Sequence, residues 1–185
     1  MSLNKRYLDS DTYILVSFTA LKHHFYPSDI PSNDILKRGQ YIHDLIERDL
    51  QSKIKGILRE INLITPYCII GNKKVLLAGH IDAINVDYGL IYEIKSLQYW
   101  QGYKDLVLLQ TCFYAELYER FKANCKYDYL PELTGIVILP YTYKLDGKKI
   151  VDLSYTLEQF KKDEIFQLRD RVRMHIDAYI SDLIM

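Results

Sequence analysis

Residues 79–96, GHIDAINVDYGLIYEIKS, limit what this chain can fold into more than any other stretch. Two apolar, strand-like runs flank Asp87-Tyr88-Gly89, the composition of a β-hairpin around its turn. Yet Asp82, Glu93 and Lys95 stand among the Ile, Val, Leu and Tyr that should fill a core. Charged groups are almost never fully buried unless they are paired or hold a metal, because desolvating an isolated ion is very costly. The cluster needs a compensating partner, and the rest of the chain must supply it.

The flanking patterns predict how that hairpin is covered. SFTALKHHF offers Ser17 as a cap before Phe18 and Leu21, a short helix that ends by Pro27. PSDIPSND is a loop. Over residues 34–54, Ile35, Ile42, Leu45, Ile46, Leu50 and Ile54 recur at three- and four-residue spacings. They predict a long amphipathic helix capped by Asn33 or Ser32, with His43 beside its apolar stripe. Strands are expected at residues 58–67, 75–86 and 90–96, with Gly71-Asn72 as the other turn. A helix over 105–123, the strand TGIVILP and a hairpin around Asp146-Gly147 follow. A last long helix is expected from Leu157, with Thr156 as cap and Gln159 completing a capping box.

The order α, α, β, β, β, α, β, β, α implies an α/β fold: one central mixed β-sheet flanked by helices, since hairpins and a crossover both occur. At 185 residues the chain suits a single domain over 1–185. Lys+Arg and Asp+Glu both total 24, so any nucleic-acid binding must use a local patch rather than an overall positive field. Cys68, Cys112 and Cys125 form no CxxC pair, which points away from a disulfide framework or a zinc knuckle and toward a reducing, intracellular (cytoplasmic) location. No apolar stretch approaches the ~20 residues needed to span a bilayer, so no membrane association is expected. The oligomeric state stays open, a homo-oligomer included.

Within the hairpin, Glu93 and Lys95 project to one side of their strand while Ile94 points the other way, and the partner strand can bring Asp82 opposite them. Two carboxylates at a strand end, with the backbone carbonyl of Ile94, compose an all-oxygen site suited to Mg2+ or Mn2+. Lys95 would stand beside the metal-bound water. A divalent ion so held serves phosphodiester hydrolysis, and a neighbouring ammonium offsets the developing negative charge. Taken alone, an Asp followed by Glu-x-Lys is more often a surface salt bridge.

Four ordered pieces carry the reading further. GQYIH (39–43), GHID (79–82), EIK (93–95) and QTCFY (110–114) resemble the GxxxH, GxxD, ExK and QxxxY motifs of the RecB-like branch of the PD-(D/E)XK nuclease superfamily, which includes CRISPR-associated exonucleases. The resemblance covers residues 17–114. It implies a restriction-endonuclease-like core and a metal-dependent DNA nuclease, an exonuclease or an enzyme that processes DNA ends. It also implies Asp82, Glu93, the Ile94 carbonyl and His43 as metal ligands, with Lys95 catalytic. Gln110 and Tyr114, one helical turn apart, can hydrogen-bond phosphate oxygens or hold Lys95 and Glu93 in place, or simply form a polar helix edge. An imidazole ligand would favour Mn2+ over Mg2+. Glu60 falls where such proteins often carry an acid on the first strand; it either ligates a second ion or pairs with Arg59 or a lysine. His80 shares the strand face of Asp82, while His23, His24 and His175 have no partner at ligand spacing.

The chain departs from the pattern in one respect. Many of the CRISPR-associated members hold an iron-sulfur cluster on four cysteines, the first in a Cys-Pro; here Tyr26-Pro27 stands in that place and no cysteine lies beyond Cys125. No iron-sulfur cluster is expected. DNA contacts are expected among Lys37, Arg38, Lys73, Lys74, Lys104, Arg169, Arg171 and Arg173. The aromatics of YWQGY (99–103) either stack on unpaired bases or, for Trp100, anchor the loop. The alternative reading is a nuclease-fold protein that binds DNA or a recombination partner without cutting.

Overall fold

The computed structural model describes residues 12–27, 32–124 and 130–184; Cys125 and part of the loop expected after Pro27 lie outside them. The hairpin of the opening argument is present as β3 (Lys73–Asn85) and β4 (Leu90–Ser96). Its turn is organised by Asn85, a buried amide whose Oδ1 accepts the backbone N–H groups of Asp87 (2.9 Å) and Tyr88 (3.0 Å). Gly89 closes the turn at φ 64°, and an added Cβ there would lie 1.9 Å from the Glu132 carbonyl oxygen, so no other residue fits.

The sheet is mixed and seven-stranded. One edge of β3 pairs antiparallel with β2 (Ile57–Ile70). The other edge is shared: β1 (Tyr13–Ser17) pairs parallel with Lys74 to Ala78, and β4 pairs antiparallel from Ala83 onward. β4 then pairs parallel with β5 (Gly135–Asp146), and the far edge of β5 carries β7 (Glu158–Lys161) and β6 (Lys149–Tyr155). The crossover from β4 to β5 runs through α3 (Leu97–Gly102) and α4 (Lys104–Asn124). Burial of Ile91 to Ile94 in succession is what a central strand covered on both faces requires.

Helices cover both faces of the sheet. α2 (Asn33–Lys53) lays Ile42, Ile46 and Leu50 against Tyr92, Ile94, Val137 and Leu139. Ile35 is exposed, and the predicted stripe is buried from Ile42 onward. The cap is Ser32, by backbone conformation and without a side-chain hydrogen bond. On the other face α4 buries Val107, Phe113 and Leu117 with α1 (Phe18–Phe25), α5 (Lys162–Phe166) and α6 (Arg169–Ile184). The Ser17 cap is formed as the sequence predicts, its hydroxyl accepting Ala20 N–H at 3.2 Å. α1 packs on α6 through His24, which meets Asp182 at 2.8 Å, and through Phe25 against His175.

Three elements differ from expectation. The helix expected from Leu157 does not start there: residues 158–161 form β7, and the long helix begins at Arg169. The Thr156 and Gln159 box is a local preference overruled by the open edge of β5, whose backbone groups at Gly135 to Ile138 take β7 as partner. β1 and α3 were not predicted, being five and six residues long. Arg169 and Arg173, expected among DNA contacts, instead converge with Arg120 on the fully buried Glu116 and tie α6 to α4.

Candidate active site

The charged hairpin residues sit where the sheet splits. On the edge of β3 that faces the middle of the sheet, the ladder to β1 ends at Ala78 and the ladder to β4 begins at Ala83. Asp82 stands at the mouth of this fork, and its Oδ2 accepts the backbone N–H of Ile94 at 2.7 Å in place of a strand carbonyl. Both strands turn over here. Ile57 and Ala83 belong to the α2-side core, whereas Ile61 and Ile81 pack with the α4-side core, although residues two apart on a regular strand share a face. Glu60, which falls opposite Asp82 in the β2–β3 register, supplies the turn with a φ of 55°, a conformation costly for a residue with a side chain.

α2 delivers two more groups to the same point. His43 Nδ1 lies 3.6 Å from Asp82 Oδ1. Glu47, one turn along the same face, is completely buried, and neither of its oxygens has a hydrogen-bond partner among the described residues. His43, Glu47 and Asp82 present ligand atoms all within 4.8 Å of one another. From β4, Glu93 is 1 % exposed; its Oε1 accepts from Lys95 Nζ and Gln110 Nε2 (2.9 Å), and its Oε2 has no partner among the described residues. Gln110 also donates to the Tyr114 hydroxyl at 3.0 Å.

Glu47, Asp82 and Glu93 are all buried, and Lys95 opposes only Glu93 and Asp82, so the carboxyl groups shift in different directions. Burial, with Asp82 adding to it, pushes the Glu47 carboxyl up to about 8. Burial likewise raises Glu93, against the opposing pull of Lys95. Burial would raise Asp82 too, but the His43 imidazole, Lys95 and the Ile94 N–H together hold it below its ordinary value. Lys95 is held protonated by Glu93 and Asp82 in spite of its burial. A divalent cation held by His43, Glu47 and Asp82 would satisfy the orphaned Glu47 oxygens and offset the negative charge gathered there. The donor set, oxygens with one imidazole, suits Mn2+ or Mg2+.

Not every predicted residue joins the cluster. Glu60 pairs with His80 at 2.9 Å, and His80 also meets Asn62 at 3.1 Å; neither belongs to the His43, Glu47 and Asp82 group, although the Glu60 charge is near enough to help raise Glu47. Gly79 has a packing role, since a Cβ there would lie 2.7 Å from Leu117 and 3.0 Å from the Tyr114 ring on α4. Glu47 was missed. Its signal was a glutamate four residues after His43, inside the apolar arc of Ile42, Ile46 and Leu50, where an acid has no reason to be. Beside the cluster a groove of about 340 Å3 opens, lined by His43, Ile94, Lys95, Gln110 and Tyr141 and by residues of α1 and α3.

No protein-family model matches the sequence, and no curated protein matches it. Solved structures do. The chain is similar to a protein from Eubacterium rectale assigned as an exonuclease, at 12% identity over 97% of this chain and 86% of that one, with a TM-score of 0.55. It is also similar to LHK-Exo, solved in complex with dAMP, at 12% identity over 91% of this chain and 87% of that one, again with a TM-score of 0.55. At such identity the likeness is one of fold: an α/β architecture with a mixed central sheet flanked by helices, shared with these two chains. Among the described residues no helix is long and apolar enough to cross a membrane.

Proposed function

We propose that this chain is a divalent-metal-dependent deoxyribonuclease of the PD-(D/E)XK type, related to the RecB-like branch, that acts as an exonuclease or on DNA ends through a single domain spanning 1–185. The observation that carries this reading is the meeting of His43, Glu47 and Asp82, with Glu93 and Lys95 acting on Asp82 from β4, and with three oxygens of Glu47 and Glu93 left without partners among the described residues. A structural salt bridge would satisfy those oxygens. A fold shared with chains described as exonucleases is consistent with it.

In this reading His43, Glu47, Asp82, Glu93 and the Ile94 carbonyl would hold the ion, which would supply Lewis-acid chemistry toward the phosphate. Lys95, protonated and fixed on Glu93, orients the nucleophile and offsets charge on the phosphorane-like transition state. Gln110 restrains Glu93 and is itself bonded to Tyr114, so the ligand cannot swing to another rotamer. Glu60 acts through its backbone, turning β2 and β3 so that Asp82 enters the fork.

The test is degradation of end-labelled single-stranded, duplex and flapped DNA with Mn2+ and with Mg2+. Cleavage that Glu93→Gln and Lys95→Ala abolish supports the proposal. Wild-type protein that binds these DNAs but cuts none of them would favour the non-cleaving accessory instead.

A further inference from the structure

The groove beside Lys95 is walled by two elements that the hydrolytic chemistry leaves unused. Thr19, Lys22 and His23 of α1 line one side, at helical spacings that put them on a common face. Tyr99 of α3 lines the groove as well, and so does Tyr141, whose ring lies near His43. Tyr103 extends this wall outward: its ring centroid is 4.9 Å from that of Tyr99, and the residue is 57 % exposed. Trp100 between them does the opposite. It is 3 % exposed, its indole N–H donates to Glu158 at 2.8 Å, and it packs on Phe160. α3 is thus bolted to the sheet by its tryptophan, with Tyr99 half-buried along it and Tyr103, the residue that follows the helix, exposed. The ammonium of Lys22 lies 5.5 Å from the Tyr99 ring centroid, so cation and ring form one surface.

We propose that α1 and α3 form a grip for an unpaired DNA strand, with Lys22 and His23 holding phosphates and Tyr99 and Tyr103 stacking on bases. The occupant follows from three facts. The groove is continuous with Lys95, Gln110 and Ile94, so a strand whose phosphate reaches the carboxylates must pass over it. Its size, about 340 Å3, is that of a pocket for one small ligand such as a nucleotide. Cations interleaved with accessible rings serve single strands, because the faces of paired bases are already covered by their neighbours. The neutral total charge makes such stacking matter more, since phosphate attraction alone is weak. The inference rests on the nuclease reading for the identity of the strand and names its substrate class: single-stranded DNA, or a single-stranded end.

The experiment is fluorescence anisotropy in Ca2+ buffer with a labelled, phosphorothioate-linked oligonucleotide, offered single-stranded and as a blunt duplex. Wild type should bind the single strand about tenfold or more tightly than the duplex. Tyr99→Ala with Tyr103→Ala should remove about tenfold or more of that affinity, Tyr99→Phe with Tyr103→Phe should retain it, and the duplex value should stay put. Tyr103→Ala alone, at an exposed position that leaves the fold intact, should show part of the loss. Lys22→Ala should lower the slope of log affinity against log salt by about 1. Equal wild-type affinity for both forms, an undiminished alanine double variant, a phenylalanine pair as weak as the alanine pair, or an unchanged salt slope would overturn the grip. Cleavage in Mn2+ separates the two readings. Cutting that ignores the tyrosines removes the grip alone, and tyrosine-dependent binding without cutting removes the nuclease alone.

Discussion

Asp82 Oδ2 accepts the backbone N–H of Ile94 at 2.7 Å, so the carboxylate proposed as a cation ligand also closes the sheet where β3 and β4 part. The two duties can be separated. Asp82→Asn keeps an acceptor and should fold with a melting temperature near wild type while losing Mn2+ binding and cleavage. Asp82→Ala leaves the buried Ile94 N–H without that acceptor and should cost about 1–3 kcal/mol as well, measured by denaturant unfolding.

Glu47 is the sharpest indicator of a cation, and its removal should act in opposite directions. Glu47→Gln should weaken Mn2+ binding by about 1.4 kcal/mol or more, a factor of ten, in calorimetric titration. The same variant should raise the stability of the metal-free protein at about pH 8, where wild type must ionise a buried group. A variant that binds Mn2+ as wild type does would place the ion elsewhere.

The sign of the pH dependence follows from the same groups. Glu47 and Glu93 have folded values raised above the ordinary 4.5, first by burial, so their stabilising contribution is complete below that value and lost as pH rises to about 8. Asp82 is depressed, so its contribution exists above its ordinary 3.8 and is lost on further acidification. Metal-free protein should therefore melt highest near pH 5 and progressively lower toward about pH 8. Mn2+ should reverse the trend, because its ligands bind deprotonated and release protons. Melting curves with a chelator and with Mn2+ decide it; a flat metal-free profile would contradict the burial argument.

Gln110→Ala should lower the cleavage rate by about 10- to 100-fold while the protein still folds, because Gln110 touches Glu93 rather than occupying the ion's position. A loss as complete as that of Glu93→Gln would give Gln110 a more direct role.

The two motif glycines should respond differently. Gly79→Ala would drive a methyl into Leu117 and the Tyr114 ring and should destabilise by about 1–3 kcal/mol. Gly39, mid-helix in α2, has open space around its missing Cβ, so Gly39→Ala should stabilise by about 1 kcal/mol. Thermal unfolding of both variants checks the contrast.

The elements legible in the sequence are those whose signal is local. The three- and four-residue spacing of Ile42, Ile46 and Leu50 reports α2 wherever that helix docks, and Ser17 caps α1 through an amide three residues away. Residues 158–161 were illegible because their conformation is decided by the free edge of β5, more than twenty residues earlier, against a capping pattern that reads as a helix. β1 is five residues whose partner begins at Lys74. Arg169 and Arg173 read as free cations because Glu116 lies on another helix.

For the site, the sequence by itself determined that Asp82, Glu93 and Lys95 share a hairpin, that His43 rides an amphipathic helix, and that Gln110 and Tyr114 lie one turn apart. These are consequences of strand and helix periods, which act within a few bonds. Only the tertiary structure decided that Glu47 joins His43 and Asp82, that Glu60 pairs with His80, and that Tyr103, just past α3, is exposed while Trp100 is hidden. Those outcomes depend on how the α2 stripe seats against β4 and β5 and on one left-handed residue in β2, and so on distances that no local pattern encodes.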